Sequence, residues 1–188
     1  PELNLDAACQ VAHAISTHEV KQEMDFFTAV DDLVEAGALP PEDTLGAGMM
    51  GYTGFNSACF YRYARLDWEQ LVKNLNGNNA FACRTVEGFL RASVAALPTG
   101  KQNSFAANNP PSFLLAVVWD TGMGWSLSNA FEKPVRRPFN GGLVAPSVAA
   151  LDKHWGQLCQ VYGKEGQVQV AALPLDDSLS LNNFDKDQ

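Results

Sequence analysis

The pattern of apolar and polar positions divides the chain into short alternating runs followed by longer helical ones. Across residues 9–20, Val11, Ile15 and Val20 share little of a helix face, and their β-branched side chains favour a strand. Ala12 and Ala14, both good helix formers, leave a helical start open. Residues 59–66 alternate aromatics with polar and basic groups and predict a second strand. Asp67 then suits an N-cap, with Gln70 where a capping box places Glu or Gln, so a helix is expected over 68–75, ended by Asn76-Gly77. A longer helix is expected over 80–97, with Phe81, Val86, Phe89, Leu90, Val94 and Leu97 as its apolar stripe and Pro98 and Gly100 as its stop. Phe113–Trp119 is continuously apolar, which reads as a strand buried on both faces. A short helix is expected over 126–131. Val148, Leu151, Trp155, Leu158 and Val161 recur at spacings of three and four and predict a helix over 147–162.

Residues 21–58 interrupt this order. Asp25 to Glu35 has room for a short helical turn, Pro40-Pro41 breaks the middle, and residues 46–54 are too glycine-rich for a helix or a regular strand. A connection of this length inside a domain is uncommon and is usually functional or disordered. Residues 176–188 are polar and acidic and are expected to fray. The order strand, excursion, strand, helix, strand, helix predicts an α+β fold with helices on one face of a small antiparallel sheet. The second half of a ferredoxin-like or RNA-recognition-motif fold has this order.

Composition narrows the function. The 188 residues are enough for one domain with its own core, and 46% hydrophobic with 18% charged residues is a globular balance. The longest apolar run, Phe113–Trp119, is too short to span a bilayer, and no signal peptide opens the chain. Cys9, Cys59, Cys83 and Cys159 are widely spread and read as free thiols of a reducing cytoplasm. His13 and His18 fall on opposite faces of a strand, so no shared metal is expected, and no cofactor is implied. No nucleophile elbow or triad is present, so no enzyme is expected. The net charge of −8 argues against nucleic acid, whose binding leans on lysine and arginine.

Against that stand several sequence blocks. They are Ala12-His13-Ala14-Ile15-Ser16-Thr17-His18-Glu19-Val20, Phe26-Phe27-Thr28-Ala29-Val30-Asp31-Asp32-Leu33, Cys59-Phe60-Tyr61-Arg62-Tyr63-Ala64, Gly100-Lys101-Gln102-Asn103-Ser104 and Asn129-Ala130-Phe131-Glu132-Lys133-Pro134. In this order they resemble the repeated backbone subunit of the type I-E CRISPR interference complex (Cascade), the CasC family, over residues 9–162 and in its C-terminal half only. The resemblance implies a partial ferredoxin-like (RNA-recognition-motif-like) palm, residues 1–20 and 59–172, with a projecting thumb hairpin over 21–58 and an acidic tail over 173–188. It further implies a non-catalytic scaffold that polymerises along CRISPR RNA and presents it for pairing with target DNA. Its partners would be that RNA, the target DNA through the guide, further copies of itself and other Cascade subunits.

The residues that match the family's RNA wedge are Phe26, Phe27, Thr28, Val30 and Met50. From spacing alone, Phe26 and Phe27 read as core residues at a strand end, and Met50 as part of a loose loop. Lys21 is the one cation of residues 21–58, so the segment cannot hold phosphates by charge. Insertion of apolar side chains between bases remains open to it. Asp31 and Asp32 are candidates for a contact with a neighbouring copy, and Arg62 and Arg65 for phosphate. Lys101 and its neighbours suit either an RNA or subunit contact or a solvated turn. A structural or regulatory module that binds no RNA is the alternative reading.

Overall fold

The computed structural model describes residues 5–28 and 50–184. The chain runs outward through β1 (Cys9–Val11), β2 (Ile15–Ser16) and β3 (Glu23–Thr28) and returns through β4 (Met50–Phe55), β5 (Phe60–Tyr61) and β6 (Ala64–Leu66). The pairing is nested and antiparallel: β1 with β6, β2 with β5, β3 with β4. Ala12 N–H donates to Tyr63 O and Thr17 N–H to Cys59 O, both at 2.9 Å, carrying the ladder across its gaps. The result is one interrupted hairpin whose register shifts at each break.

Two strand expectations change here. Residues 9–20 and 59–66 each break into two short strands instead of forming one. Met50–Phe55 forms a regular strand despite Gly51 and Gly54, and Asp25–Thr28 is strand, not a helical turn. The ring of Phe27 covers Gly51, supplying from across the ladder the packing that the glycine lacks.

After β6 come α1 (Trp68–Asn74), α2 (Asn79–Ala95) and the single turn α3 (Gln102–Phe105). Asp67 caps α1 by accepting from Gln70 N–H at 3.0 Å, whereas the Gln70 side chain donates forward to Asn74 Oδ1 and leaves the capping box half made. Asn78 caps α2 by accepting from Phe81 N–H. Ala82 is the buried residue of α2, and the expected stripe members Phe81, Leu90 and Val94 are exposed. Periodicity marks a face able to be covered; here the cover is partial, reaching Val86, Phe89 and Leu97, which are half-buried.

The core forms between β7 (Phe113–Trp119), the 3-10 turn Ser128–Phe131, α4 (Val144–Tyr162) and β8 (Gln167–Pro174). β7 pairs with β8 antiparallel, and α4 buries Val148, Leu151 and Trp155. Trp155 sits among Trp119, Trp125 and Phe184, with ring centroids 5.3–6.3 Å apart. Gly163, at φ +80°, ends α4 in a conformation that side chains disfavour, and its N–H bonds to Cys159 O. Val161, expected on the buried stripe of this helix, is exposed instead. β7 is half-buried, with Val118 outward, because only one face of the β7–β8 pair meets α4.

The expected fraying of the tail is overturned through residue 184. Leu179 and Phe184 are buried, and the Asp152 carboxylate, itself buried, accepts from the backbone N–H groups of Asn182, Asn183 and Phe184. The architecture is mixed α/β, with small two-stranded antiparallel pairs and packed helices. No helix among the described residues is long and apolar enough to cross a membrane.

Candidate nucleic-acid interface

β3 and β4 form a two-stranded arm about 20 Å long at the usual strand rise. Its register pairs Met24 with Gly54, Phe26 with Tyr52, Phe27 with Gly51 and Thr28 with Met50. Successive residues of a strand face opposite ways, so Phe26 and Phe27 do not form one wedge. Met24, Phe26 and Tyr52 share one face, with the Phe26 and Tyr52 rings 5.3 Å apart and tilted by 57°. Phe27 lies on the other face, over Gly51.

None of these rings is enclosed: Phe26 is 51% exposed, Phe27 41% and Tyr52 71%. Of the wedge residues expected from the sequence, Phe26, Phe27, Thr28 and Met50 all lie on this ladder, with Phe26 and Phe27 on opposite faces. Val30, with Asp31 and Asp32, lies outside the described residues. Tyr52 was not anticipated. The alternation of small and large residues in Gly51-Tyr52-Thr53-Gly54-Phe55 was its signal, but only the register shows that it faces Phe26.

The root of the arm is built from polar groups. Thr17 is buried; its hydroxyl lies 2.9 Å from Ser147 Oγ on α4, and its carbonyl accepts from Val135 N–H. His18 Nε2 accepts from Cys59 N–H, and Nδ1 lies 2.7 Å from Glu19 O, an arrangement that places the ring proton on Nδ1. Tyr61 rests its ring on Phe131 and accepts from Leu127 N–H at its hydroxyl, while the Tyr63 hydroxyl donates to Gly124 O. Burial raises the pKa of both phenols above the ordinary tyrosine value, opposed by hydrogen bonds from Leu127 and Ser126 at Tyr61 and by the Arg65 charge at Tyr63.

The arginines expected to meet phosphate have internal work. Arg62 donates to Ser93 O and Ala96 O at the end of α2, and Arg65 lies 3.9 Å from Asp67. Lys101, at φ +55°, donates to Gly54 O at 3.0 Å with its ammonium near the Phe55 ring, and Phe105 packs on Phe55 at 5.2 Å. The segment 101–105 therefore braces the base of the arm from an exposed turn.

An aromatic face on an acidic arm is suited to stacking and poorly suited to gripping phosphate. Glu23 and Asp25 are exposed along β3. Among the described residues no group of three or more histidine, cysteine or acidic side chains is placed to hold a metal ion.

The chain is 30% identical to a chain of a "CRISPR RNA-guided surveillance complex", with a TM-score of 0.81 over 99% of this chain and 67% of that one. It is 29% identical to a chain of a "CRISPR RNA-guided surveillance complex, pre-nicking", with a TM-score of 0.78 over 99% of this chain and 47% of that one. It thus spans about two thirds of the first and about half of the second. A search of curated proteins gives no match. The sequence profile described as CT1975-like protein matches residues 1–186. The fold is therefore that of CRISPR surveillance-complex subunits, and the chain belongs to the CT1975-like protein family.

Proposed function

We propose that the protein is a non-catalytic backbone subunit of a CRISPR interference complex, of the CasC type that type I-E complexes repeat. It binds guide RNA, assembles with copies of itself along that RNA and presents the bases for pairing with target DNA. Its body is read as part of a ferredoxin-like palm and the β3–β4 arm as the thumb. The observation that carries this is the exposed Phe26–Tyr52 pair on an arm open to solvent on both faces, in a chain similar to surveillance-complex subunits.

The energetics fit insertion. Unstacking a base step costs a few kcal/mol, and stacking a base on an aromatic side chain returns about 1–3 kcal/mol. Such an arm needs no cation of its own, which accommodates the excess of acids in residues 21–58. Sequence is then read by base pairing, with the protein responding to backbone and shape.

The net charge of −8 favours a second reading, a protein-interaction module without RNA. One experiment separates them: titrating the full chain into single-stranded RNA carrying 2-aminopurine at successive positions. The first reading expects fluorescence to rise where a base is unstacked, with Phe26→Ala/Tyr52→Ala abolishing the rise and weakening binding about tenfold or more. Absence of RNA binding by the unaltered protein, or an unchanged rise in the double variant, refutes the wedge.

A further inference from the structure

If the arm stacks bases without holding phosphates, cations elsewhere must hold the strand. Between Asp120 and Asp152 the chain carries three cations, Lys133, Arg136 and Arg137, and one acid, Glu132. This is a local reversal of sign in a chain of net charge −8. All three cations are exposed.

The loop that presents them is tied to the body at its base. Phe131 is buried at its start, Val135 packs against the core, and Val135 N–H donates to Thr17 O at 2.9 Å. Arg137 Nε donates to Gly141 O at 2.9 Å, and Gly141 N–H to Pro138 O. Pro134 and Pro138 restrict the backbone on either side of the arginine pair. Among the described residues neither Lys133 nor Arg136 has an ion pair, so both face solvent without a carboxylate. Beside them Phe139 is fully exposed, at 102%.

A cluster of exposed cations next to a bare aromatic ring has the composition of a single-stranded nucleic-acid site, in which charge tracks the backbone and the ring stacks a base. The Val135–Thr17 hydrogen bond puts this loop at the root of the arm. Thr17 and Phe26 are nine residues apart on that limb, at most about 30 Å of extended chain. One strand can therefore lie on the loop and reach the aromatic pair.

We propose that residues 133–139 form a second RNA contact, in which Lys133 and Arg136 bind phosphates of the strand and Phe139 stacks on a base. This rests on the RNA-binding function proposed above and supplies the phosphate grip that the arm lacks.

The test measures the affinity of the full chain for a fluorescein-labelled, mixed-sequence single-stranded RNA across a salt series. Each phosphate contact contributes about 0.7 to the slope of log affinity against log salt. Lys133→Ala/Arg136→Ala should flatten the slope by about 1.4 and weaken binding about tenfold at 0.15 M salt. Phe139→Ala should weaken binding with the slope unchanged. Among the described residues Lys133 and Arg136 make no side-chain bond, so an unchanged urea midpoint separates lost binding from lost folding. If the unaltered chain binds no RNA, both proposals fall. An unaltered chain that binds RNA, with slope and affinity retained in the double variant, overturns this proposal alone. It is likewise overturned if the double variant keeps its RNA affinity but loses self-association at low salt, because the cations then serve the acidic arm of another copy.

Discussion

Replacing Asp152 tests what holds the C-terminal strap onto the core. Its Oδ1 accepts from Asn183 N–H at 2.8 Å and Phe184 N–H at 3.0 Å, and its Oδ2 from Asn182 N–H at 3.2 Å and Asn183 Nδ2 at 2.8 Å. Hydrogen bonds to a charged acceptor contribute about 1.5–3 kcal/mol each, and a donor left buried without a partner costs a similar amount. Asn182 is exposed and recovers a bond to water, so the lasting losses fall on Asn183 and above all on the buried Phe184. Asp152→Ala should therefore cost about 3–4 kcal/mol, a large share of a typical 5–15 kcal/mol. Asp152→Asn should cost about 2 kcal/mol, since one acceptor survives and an amide N–H then faces a donor. With a slope near 2 kcal/mol per molar urea, the alanine midpoint should fall by about 1.5–2 M. The assay is urea unfolding followed by tryptophan fluorescence, which Trp155 reports because it packs on Phe184 at 5.9 Å. Lys153→Ala, one residue along on the exposed face, is the control and should stay within about 0.5 kcal/mol. An alanine variant as stable as its control would refute the assignment of the strap to this carboxylate.

Two further outcomes follow from the arm and its root. Burial raises the Tyr61 and Tyr63 phenols, so the folded state favours their neutral forms. Their contribution is complete below the unfolded value of about 10 and is lost as pH rises through the folded values. Phenolate absorbance should thus appear late for these two groups while the urea midpoint falls above pH 10, and Tyr61→Phe should reduce that fall; no alkaline loss of stability would contradict it. A Cβ at Gly51 would sit 2.7 Å from Phe27 Cζ, so Gly51→Val should displace the ring and speed amide exchange across β3 and β4. Global stability should stay within about 1 kcal/mol, because the arm lies outside the core; unchanged exchange would show that the ring does not hold the strand.

Several features were already legible along the chain. The Asp67 cap, α1, α2, β7 and α4 follow from local periodicity and capping, which depend on neighbours three or four residues apart. The likeness to CRISPR surveillance-complex subunits was legible too, because ordered blocks such as Phe26-Phe27-Thr28 and Ala130-Phe131-Glu132-Lys133-Pro134 can be read without any knowledge of contacts. Register, facing and coverage were not. That Tyr52 meets Phe26 while Phe27 turns to the opposite side depends on which residue of β4 lies across from which residue of β3. Arg62 is committed to α2 and Lys101 to Gly54, over separations of 31 to 47 residues that no local window spans. The acidic tail looked too polar to order, yet one buried carboxylate on α4 gathers its N–H groups and brings Phe184 into the core. Sequence sets what each segment is able to bury or bond, and only the folded chain decides which partner it meets.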